Sequence, residues 1–163
     1  MRALAFSFLL LVTHPLQGGI AVAQSNEGLQ ERNKSLVEGR FQAWREGSGN
    51  PFELLADEAT WTIVGRSAAS ATYGSKAEFL EKVIRPFNAR MSQGLKPAIR
   101  NIYADGDTVI VFFDAAGLAK DGKPYTNTYA WFMEMKNGRV IKVSAFYDSI
   151  DFNDLWSRVS PQQ

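Results

Sequence analysis

The chain has 163 residues with no cysteine and a single histidine, His14, and its formal net charge is +1. This length suits one globular domain, and a hydrophobic content of 45% is enough to form its core. His14 falls in an N-terminal segment that we expect to be removed, so the mature protein would contain neither His nor Cys. That composition excludes a Ser-His-Asp triad, a cysteine nucleophile, a disulfide and a zinc site of the Cys/His kind.

The first 23 residues have the features of a secretory signal peptide. Arg2 precedes an apolar run of about 10 residues, and Ala21-Val22-Ala23 has the small residues that precede a cleavage site. The run is too short to cross a bilayer of about 30 Å as a helix, so no membrane span is expected. The pattern predicts cleavage after Ala23 and a periplasmic or secreted protein, with a buried N-terminal helix as the alternative.

Charge argues against nucleic acid as a partner. Removal of the predicted leader takes away Arg2 and no acidic residue, which leaves 17 basic and 17 acidic residues. The sequence also has no basic cluster, so we expect no nucleic-acid binding.

Helical periodicity dominates the first half of the mature chain. The apolar residues between Leu29 and Trp44 recur at helical spacing, which predicts a helix over 26–46. Asn50 and Pro51 begin a short helix, and a strand follows at 60–64. A capping box at Ser75 opens another helix, in which Pro86 predicts a kink or a restart.

From residue 95 onward the hydrophobic period changes from 3.6 to 2. The turn signals Asp105-Gly106, Asp121-Gly122 and Asn137-Gly138 each separate two alternating segments, which is typical of β-hairpins. They predict a four-stranded antiparallel meander with strands at 95–104, 107–119, 123–136 and 139–149, before a last helix at 151–158. The fold class is therefore α+β.

Two-residue turns at these positions would fix which residues face each other across the strands. This register predicts that Asp114 faces Tyr129, that Trp131 faces Ser144, and that Asn127 faces Asp148. One face of the sheet would then combine aromatic and polar groups: Ile99, Ile110, Phe112, Asp114, Tyr125, Asn127, Tyr129, Trp131, Phe146 and Asp148. Polar groups kept among aromatics are typical of a ligand cavity wall, because burial without partners costs about 1–3 kcal/mol per group.

The alternative is that Asp114 and Asp148 lie in water at the rim of the sheet. A bulge beside Pro124 would also shift the register and remove Asp114 from this face.

The other face would be aliphatic, with Ile102, Val109, Val111, Phe113, Ala130, Phe132, Val143, Ala145 and Tyr147. Helices on one side of the sheet cannot cover both faces. We therefore expect this second face to bury against another copy of the chain in a homodimer.

The ordered motifs of the chain resemble those of a known family. They are Trp61-Thr-Ile-Val-Gly65, Tyr73-Gly74, Asp105-Gly-Asp107, Asp121-Gly-Lys-Pro-Tyr125-Thr-Asn127, and Lys136-Asn-Gly-Arg-Val-Ile141 followed by Phe146-Tyr-Asp148. Together they resemble the SnoaL-like branch of the nuclear transport factor 2-like superfamily, over residues 27–158. The resemblance implies that 24–163 form one cone-shaped domain, in which N-terminal helices pack on a curved sheet around an apolar pocket.

The resemblance also implies a site. Asp148 matches an Asp that often serves as acid/base or positions a water in relatives, and Asn127 matches a position that often lines the pocket. Asp114 is the remaining catalytic candidate, since the register places it on the same face. The expected pocket residues are aromatic: Trp61, Tyr73, Phe87, Phe112, Tyr125, Tyr129, Trp131 and Phe146.

Three hypotheses for the function follow. The first is an isomerase, cyclase or hydrolase that acts on an apolar carbonyl or epoxide compound, with Asp148 as acid/base and tyrosines as donors to a developing oxyanion. The second is an exported, non-catalytic binding module for an apolar small molecule, and the third is a structural or interaction role. None of them requires a metal or another cofactor, and the mature chain has no His for a cyclase-type hydrogen bond.

Overall fold

The computed structural model describes the backbone of residues 18–161 and the side chains of 26–161. The helical elements are α1 (Gly18–Glu46), a 3-10 helix (Pro51–Leu54), α2 (Lys76–Phe79), a π-helical stretch (Leu80–Ile84), α3 (Arg85–Asn88) and α4 (Ser149–Arg158). The strands are β1 (Leu55–Ile63), β2 (Thr72–Tyr73), β3 (Met91–Asp105), β4 (Thr108–Ala119), β5 (Pro124–Lys136) and β6 (Arg139–Tyr147).

The six strands form one curved sheet in the order β2-β1-β6-β5-β4-β3. The last four strands are the predicted antiparallel meander, and β1 joins its edge by pairing parallel to β6. The two-residue strand β2 extends the sheet beyond β1. The predicted α+β fold, a curved antiparallel meander with a short strand and N-terminal helices, is confirmed.

The predicted first helix is present, but it begins earlier than residue 26. The predicted helix 26–46 lies within α1, whose Val37 and Phe41 are buried against the sheet. Residues 1–17 of the predicted leader lie outside the described residues, and Gly18 to Ala23 belong to the first turns of α1. Among the described residues, no helix combines the length and hydropathy that a membrane span requires.

The second helical region changes its winding before Pro86. Ser75 caps α2 by accepting a hydrogen bond from the Glu78 backbone N–H at 3.1 Å. The Arg85 N–H then bonds to the carbonyl of Leu80, five residues back, so the chain makes a π-helical turn before α3. The expected restart at Pro86 therefore takes this form, and the proline ring lies at the start of α3.

The hairpin between β5 and β6 has the predicted turn but a shifted register. Asn137 and Gly138 both have positive φ, 52° and 74°, as a two-residue type I′ turn requires, and Lys136 pairs with Arg139. A bulge then adds Ile141 to β6, so that Trp131 pairs with Ala145 and not with Ser144. Beyond the bulge every side chain of β6 lies on the face opposite to the predicted one.

The hairpin between β4 and β5 has a three-residue loop where a two-residue turn was predicted. The Ala119 N–H bonds to the carbonyl of Lys123 at 3.0 Å, which encloses residues 120–122. Gly122, with a φ of 81°, supplies the left-handed residue that such a loop needs. Asp114 consequently pairs with Thr128, and Phe113 takes the predicted position of Asp114 beside Tyr129.

The first hairpin is also displaced by one residue. Its turn is Gly106-Asp107, because Asp105 pairs with Thr108, and a bulge at Arg100 changes the register further along β3. Ile99 therefore pairs with Phe113 and not with Phe112.

These register shifts change which residues lie on each face of the sheet. The inner face, which meets the helices, combines the predicted aromatic residues of β5 with the predicted aliphatic residues of β4 and β6: Tyr125, Asn127, Tyr129, Trp131, Val109, Val111, Phe113, Val143, Ala145 and Tyr147. The outer face carries the other residues of these strands, including Phe112, Asp114, Ala130, Phe132 and Phe146. The predicted composition of both faces was therefore wrong for β4 and β6, and right for Tyr125 to Trp131 in β5.

Candidate functional site

A cavity of about 650 Å³ lies between the inner face of the sheet and the helices. The sheet contributes Trp61, Ile63, Tyr129, Trp131, Ala145 and Tyr147 to its wall. The helical side contributes Trp44, Phe52, Phe79, Leu80, Val83, Ile84, Phe87, Asn88 and Phe152, and the start of β3 contributes Met91, Gly94, Leu95 and Lys96. The loop residues Gly47, Gly49 and Asn50 complete the lining. The volume falls in the range of cavities that enclose drug-sized molecules.

Stacked aromatic rings give the cavity flat walls. Trp61 stacks on Phe79 with ring centroids 4.1 Å apart and an interplanar angle of 10°. Trp44 lies nearly parallel to Trp131, at 12° and 6.2 Å. Such walls offer large apolar contact area to a ring system, since aromatic side chains contribute more buried area than aliphatic ones.

Charge is scarce around this cavity. Among the described lining residues there is no Asp, Glu or His, and Lys96 is the one residue with a charged side chain. The hydroxyls available in the wall belong to Tyr129 and Tyr147. Burial raises the pKa of both phenols, so both stay neutral at physiological pH.

A buried hydrogen-bond network lies behind this wall. The Asn127 side chain is only 5% exposed, and its Oδ1 accepts from the backbone N–H groups of Thr128 at 2.8 Å and Asp148 at 2.9 Å. Its Nδ2 donates to the carbonyl of Asp148 at 2.9 Å and to the hydroxyl of Tyr125 at 3.0 Å. The hydroxyls of Tyr125 and Tyr129 lie 3.2 Å apart. Asn127 thus joins β5 to the end of β6, and its amide has no free hydrogen-bonding capacity for a ligand.

Tyr147 has a separate partner. Its hydroxyl lies 2.7 Å from Oγ of Ser67, in the loop between β1 and β2. Ser67 in turn contacts Oγ of Ser70 at 3.0 Å. The same loop docks on α4, where the Ala68 N–H donates to Oδ1 of Asn153 at 2.7 Å.

Asp148 lies outside the aromatic cavity. Its side chain is exposed, and Oδ1 accepts from the Ile150 N–H at 2.8 Å as the N-cap of α4. Its expected place among the aromatic groups of the inner face was wrong, because the bulge at Ile141 shifts the end of β6 and the chain then turns into α4. Capping explains this residue type, since Asp satisfies the free N–H groups of a helix start.

Asp114 is placed on the outer face of the sheet, which corrects the prediction. Its carboxylate accepts from Oγ1 of Thr128 at 2.7 Å and from Nε of Arg100 at 2.6 Å. The hydrogen bond from Thr128 and the one from Arg100 lower the pKa of Asp114, so it is ionised at neutral pH. Asp114 and Asp148 do line one recess, of about 470 Å³, but this recess lies on the other side of the strands from the aromatic rings.

The predicted pocket residues divide into three groups. Trp61, Phe87, Tyr129 and Trp131 line the cavity. Tyr73 and Tyr125 are buried and lie outside the lining: the Tyr73 hydroxyl donates to the carbonyl of Ala69, and Tyr125 packs against Phe87.

Phe112 and Phe146 form the third group, and their assignment to the cavity was wrong. Both lie on the outer face, because the three-residue loop and the bulge at Ile141 shift β4 and β6 by one residue. The same shifts bring Ala145 and Tyr147 into the wall, which sequence reasoning missed because a bulge leaves no clear local signal.

Within the described residues, no group of three or more His, Cys, Asp or Glu side chains is placed to hold a metal ion.

Comparison with known proteins matches residues 36–143, more than half of the chain, to the SnoaL-like domain family. A comparison with curated proteins finds no match. Among solved structures, Bal32a from a soil-derived mobile gene cassette is 21% identical, with a TM-score of 0.65 over 78% of this chain and 98% of that one.

Two further structures are similar. TerC, co-crystallised with polyporic acid, is 17% identical with a TM-score of 0.62, over 77% of this chain and 98% of that one. A limonene-epoxide-hydrolase-like (LEH-like) epoxide hydrolase of M. tuberculosis is 16% identical with a TM-score of 0.56, over 80% and 92%. At these identities the structures establish the fold, and the family match establishes membership: the chain belongs to the SnoaL-like domain family.

Proposed function

We propose that this protein binds an apolar, ring-containing small molecule in the cavity between its helices and its sheet. The observation that carries the proposal is the lining: about 650 Å³ bounded by stacked aromatic rings, with no Asp, Glu or His among the described residues of the wall. Burial of an aromatic ligand against such walls contributes about 25 cal/mol per Å² of apolar surface removed from water. TerC, a protein of the same fold, was co-crystallised with an organic acid, polyporic acid.

Binding is better supported than acid/base catalysis on a carbonyl or epoxide compound. Proton transfer requires a titratable group within hydrogen-bond reach of the reacting atom. Asp148 caps α4 outside the cavity, Asp114 is paired with Arg100, and the phenols of the wall are held neutral by burial. The fold also occurs in an epoxide hydrolase, but fold alone does not determine function.

The binding proposal predicts that filling the cavity blocks a ligand. Ala145 lines the cavity from β6, so Ala145→Leu should lower the affinity for 1-aminoanthracene by about tenfold or more, because the added carbons occupy the ligand's space. Titration of tryptophan fluorescence measures this affinity, since three tryptophans line the cavity. Ala98→Leu, at an exposed position on the outer side of β3, is the matched control and should bind as the original chain does. Equal affinity in all three proteins, or no binding at all, contradicts the proposal.

Substitution of Asp148 tests whether its carboxylate acts as a helix cap or as a catalytic base. Asn caps a helix about as well as Asp, so Asp148→Asn should change neither the free energy of unfolding nor the affinity for 1-aminoanthracene. Asp148→Ala removes the acceptor for the Ile150 N–H and should lower the free energy of unfolding by about 1 kcal/mol. Chemical denaturation measures the free energy of unfolding of each variant, and fluorescence titration measures its affinity for 1-aminoanthracene. A conversion of carbonyl or epoxide compounds that Asp148→Asn abolishes would restore the enzyme hypothesis.

We also propose a homodimer, but through the outer face of the sheet. Apolar side chains that remain exposed there include Tyr103 (53%), Phe146 (42%) and Phe132 (39%), and Phe132 packs edge-to-face on Phe146 at 5.8 Å. Soluble monomers rarely leave a contiguous apolar patch of this kind uncovered. We therefore propose the outer face as the dimer interface, in place of the aliphatic face expected from the sequence.

The dimer is tested by light scattering at micromolar concentration. The original chain should give the mass of two copies, and Phe132→Asp should give that of one, because a buried unpaired charge opposes association. Ile150→Asp introduces the same charge at an exposed apolar position on α4, outside the sheet, and should leave the dimer intact. A monomer mass for the original chain refutes the dimer and leaves the proposal of ligand binding unaffected.

Export is the remaining part of the proposal. The charged start, the apolar run and Ala21-Val22-Ala23 support cleavage after Ala23 and a periplasmic or secreted location. When the full chain is expressed in a bacterial host, the protein recovered outside the cytoplasm should begin at Gln24, as N-terminal sequencing would show. Recovery of uncleaved protein in the cytoplasm alone contradicts export.

A further inference from the structure

Arg90, two residues after the end of α3, is a buried cation that is only 6% exposed. Within the described part of the chain, its side chain donates only to backbone carbonyl oxygens. Nη1 donates to Pro86 at 2.9 Å, and Nη2 and Nε donate to Trp156 at 3.3 and 3.4 Å. Burial lowers the pKa of the guanidinium, but an arginine stays protonated at neutral pH. The two carbonyl groups therefore replace the water that the charge loses on burial.

Both carbonyl groups lie at the ends of helices. Trp156 is in the last turn of α4, where the backbone carbonyls have no N–H of the same helix ahead of them. At the end of α3 the Arg90 N–H donates to the carbonyl of Phe87 at 3.0 Å, which leaves the Pro86 carbonyl to the guanidinium. Arginine commonly binds the last carbonyls of a helix. Here a single side chain closes two helices together and thereby fixes the spacing of their ends.

Each of these helices supplies one phenylalanine to the cavity wall. Phe87 and Phe152 both line the cavity, and their rings stack with centroids 6.0 Å apart at an angle of 20°. Phe152 also stacks on Trp156, at 5.0 Å and 21°. The Cζ atom of Arg90 lies 3.9 Å from the centroid of the Trp156 ring, in a cation–π contact. A series of contacts therefore runs from Arg90 through Trp156 to the two rings of the wall.

The backbone of Arg90 is itself held in place. The Lys120 N–H, in the loop between β4 and β5, donates to the Arg90 carbonyl at 2.9 Å. Arg158 of α4 forms an ion pair with Asp121 in the same loop, but this pair does not reach α3. Among the described residues, the polar contacts that join α3 to α4 all pass through Arg90.

We propose that Arg90 is a positioning residue for the cavity. It holds the ends of α3 and α4 at one spacing, so that Phe87 and Phe152 present a preformed wall to a flat ring. This inference rests on the proposed binding function and names a residue outside the cavity on which ligand affinity depends. Without Arg90 the ligand itself must order these two rings, and the entropy lost in doing so lowers its affinity.

The experiment measures the affinity for 1-aminoanthracene by titration of tryptophan fluorescence. Arg90→Met should lower this affinity about fivefold, since immobilising even one side chain on binding costs affinity of that order. Arg139→Met is the matched control, because Nη2 of Arg139 donates to the carbonyl of Leu55 at 2.6 Å, away from the cavity lining. It should leave the affinity unchanged even where the melting temperature falls. An unchanged affinity in Arg90→Met refutes the inference and leaves the binding function standing.

A second comparison tests whether Arg90 acts through the ring of Phe152. Phe152→Leu should weaken binding by itself, and adding Arg90→Met to it should cost only about twofold more, because the ring that Arg90 positions is already gone. A purely structural role for Arg90 would give independent effects that multiply. An additional fivefold loss in the Phe152→Leu background therefore overturns the inference.

Arg90→Lys keeps the inference testable if Arg90→Met does not fold. Lysine retains the positive charge, but its single ammonium lacks the planar fork with which arginine binds two carbonyl groups. The affinity for 1-aminoanthracene should therefore fall by about twofold or more. An original affinity in Arg90→Lys contradicts the proposed role of the fork. If the original chain does not bind 1-aminoanthracene, the proposed function itself fails, and the inference with it.

Discussion

Strand β5 pairs with β4 on one side and with β6 on the other, and the alternation of its side chains determines what faces the helices. Tyr125, Asn127, Tyr129 and Trp131 all point to the same side because successive inward positions are two residues apart. Each neighbouring strand is held in register with these four. A change of one residue at the β4–β5 hairpin would place Asp114 beside Tyr129 in place of Phe113, and one at the β5–β6 hairpin would place Phe146 there in place of Tyr147. The aromatic walls, the buried amide and the recess on the outer face all depend on this pairing.

Neutral polar side chains lie on the inner side of β5, and charged side chains lie on its outer side. On its inner side the polar groups are phenols and one amide, each supplied with partners, because an unpaired charge among aromatic rings would be costly to bury. On its outer side Asp114, Arg100 and Thr128 form an exposed ion-pair cluster, where solvent screens the charges. Asn127 connects the two regions, since its amide binds the backbone of Asp148 on one side and Tyr125 on the other.

The sequence predicts those parts of the fold that local rules determine. The helical stripe of α1, the short helix that Asn50 and Pro51 begin and the two-residue turn at Asn137-Gly138 are confirmed because each depends on residues close together in the chain. Asp121-Gly122 is compatible with a two-residue turn and equally with the last two positions of a three-residue loop, and the sequence does not distinguish them. The three-residue loop places Asp114 and Phe112 on the outer face, and the bulge at Ile141 places Phe146 there, so none of these positions was predictable from alternation. The β5 residues of the site were predictable because that strand has no bulge between Tyr125 and Trp131.

The π-helical stretch Leu80–Ile84 has a consequence for the history of the cavity. A π turn is equivalent to one extra residue in an α-helix, and each residue of an α-helix advances by about 100° around its axis. Loss of a single residue here would restore regular winding and rotate Ile84, Phe87 and Asn88 away from the cavity together. Relatives that differ by one residue in this stretch would therefore present a different wall to their ligand while keeping the same sheet. An insertion or deletion of one residue in this helical turn would change several wall positions at once, which a substitution of a single side chain does not.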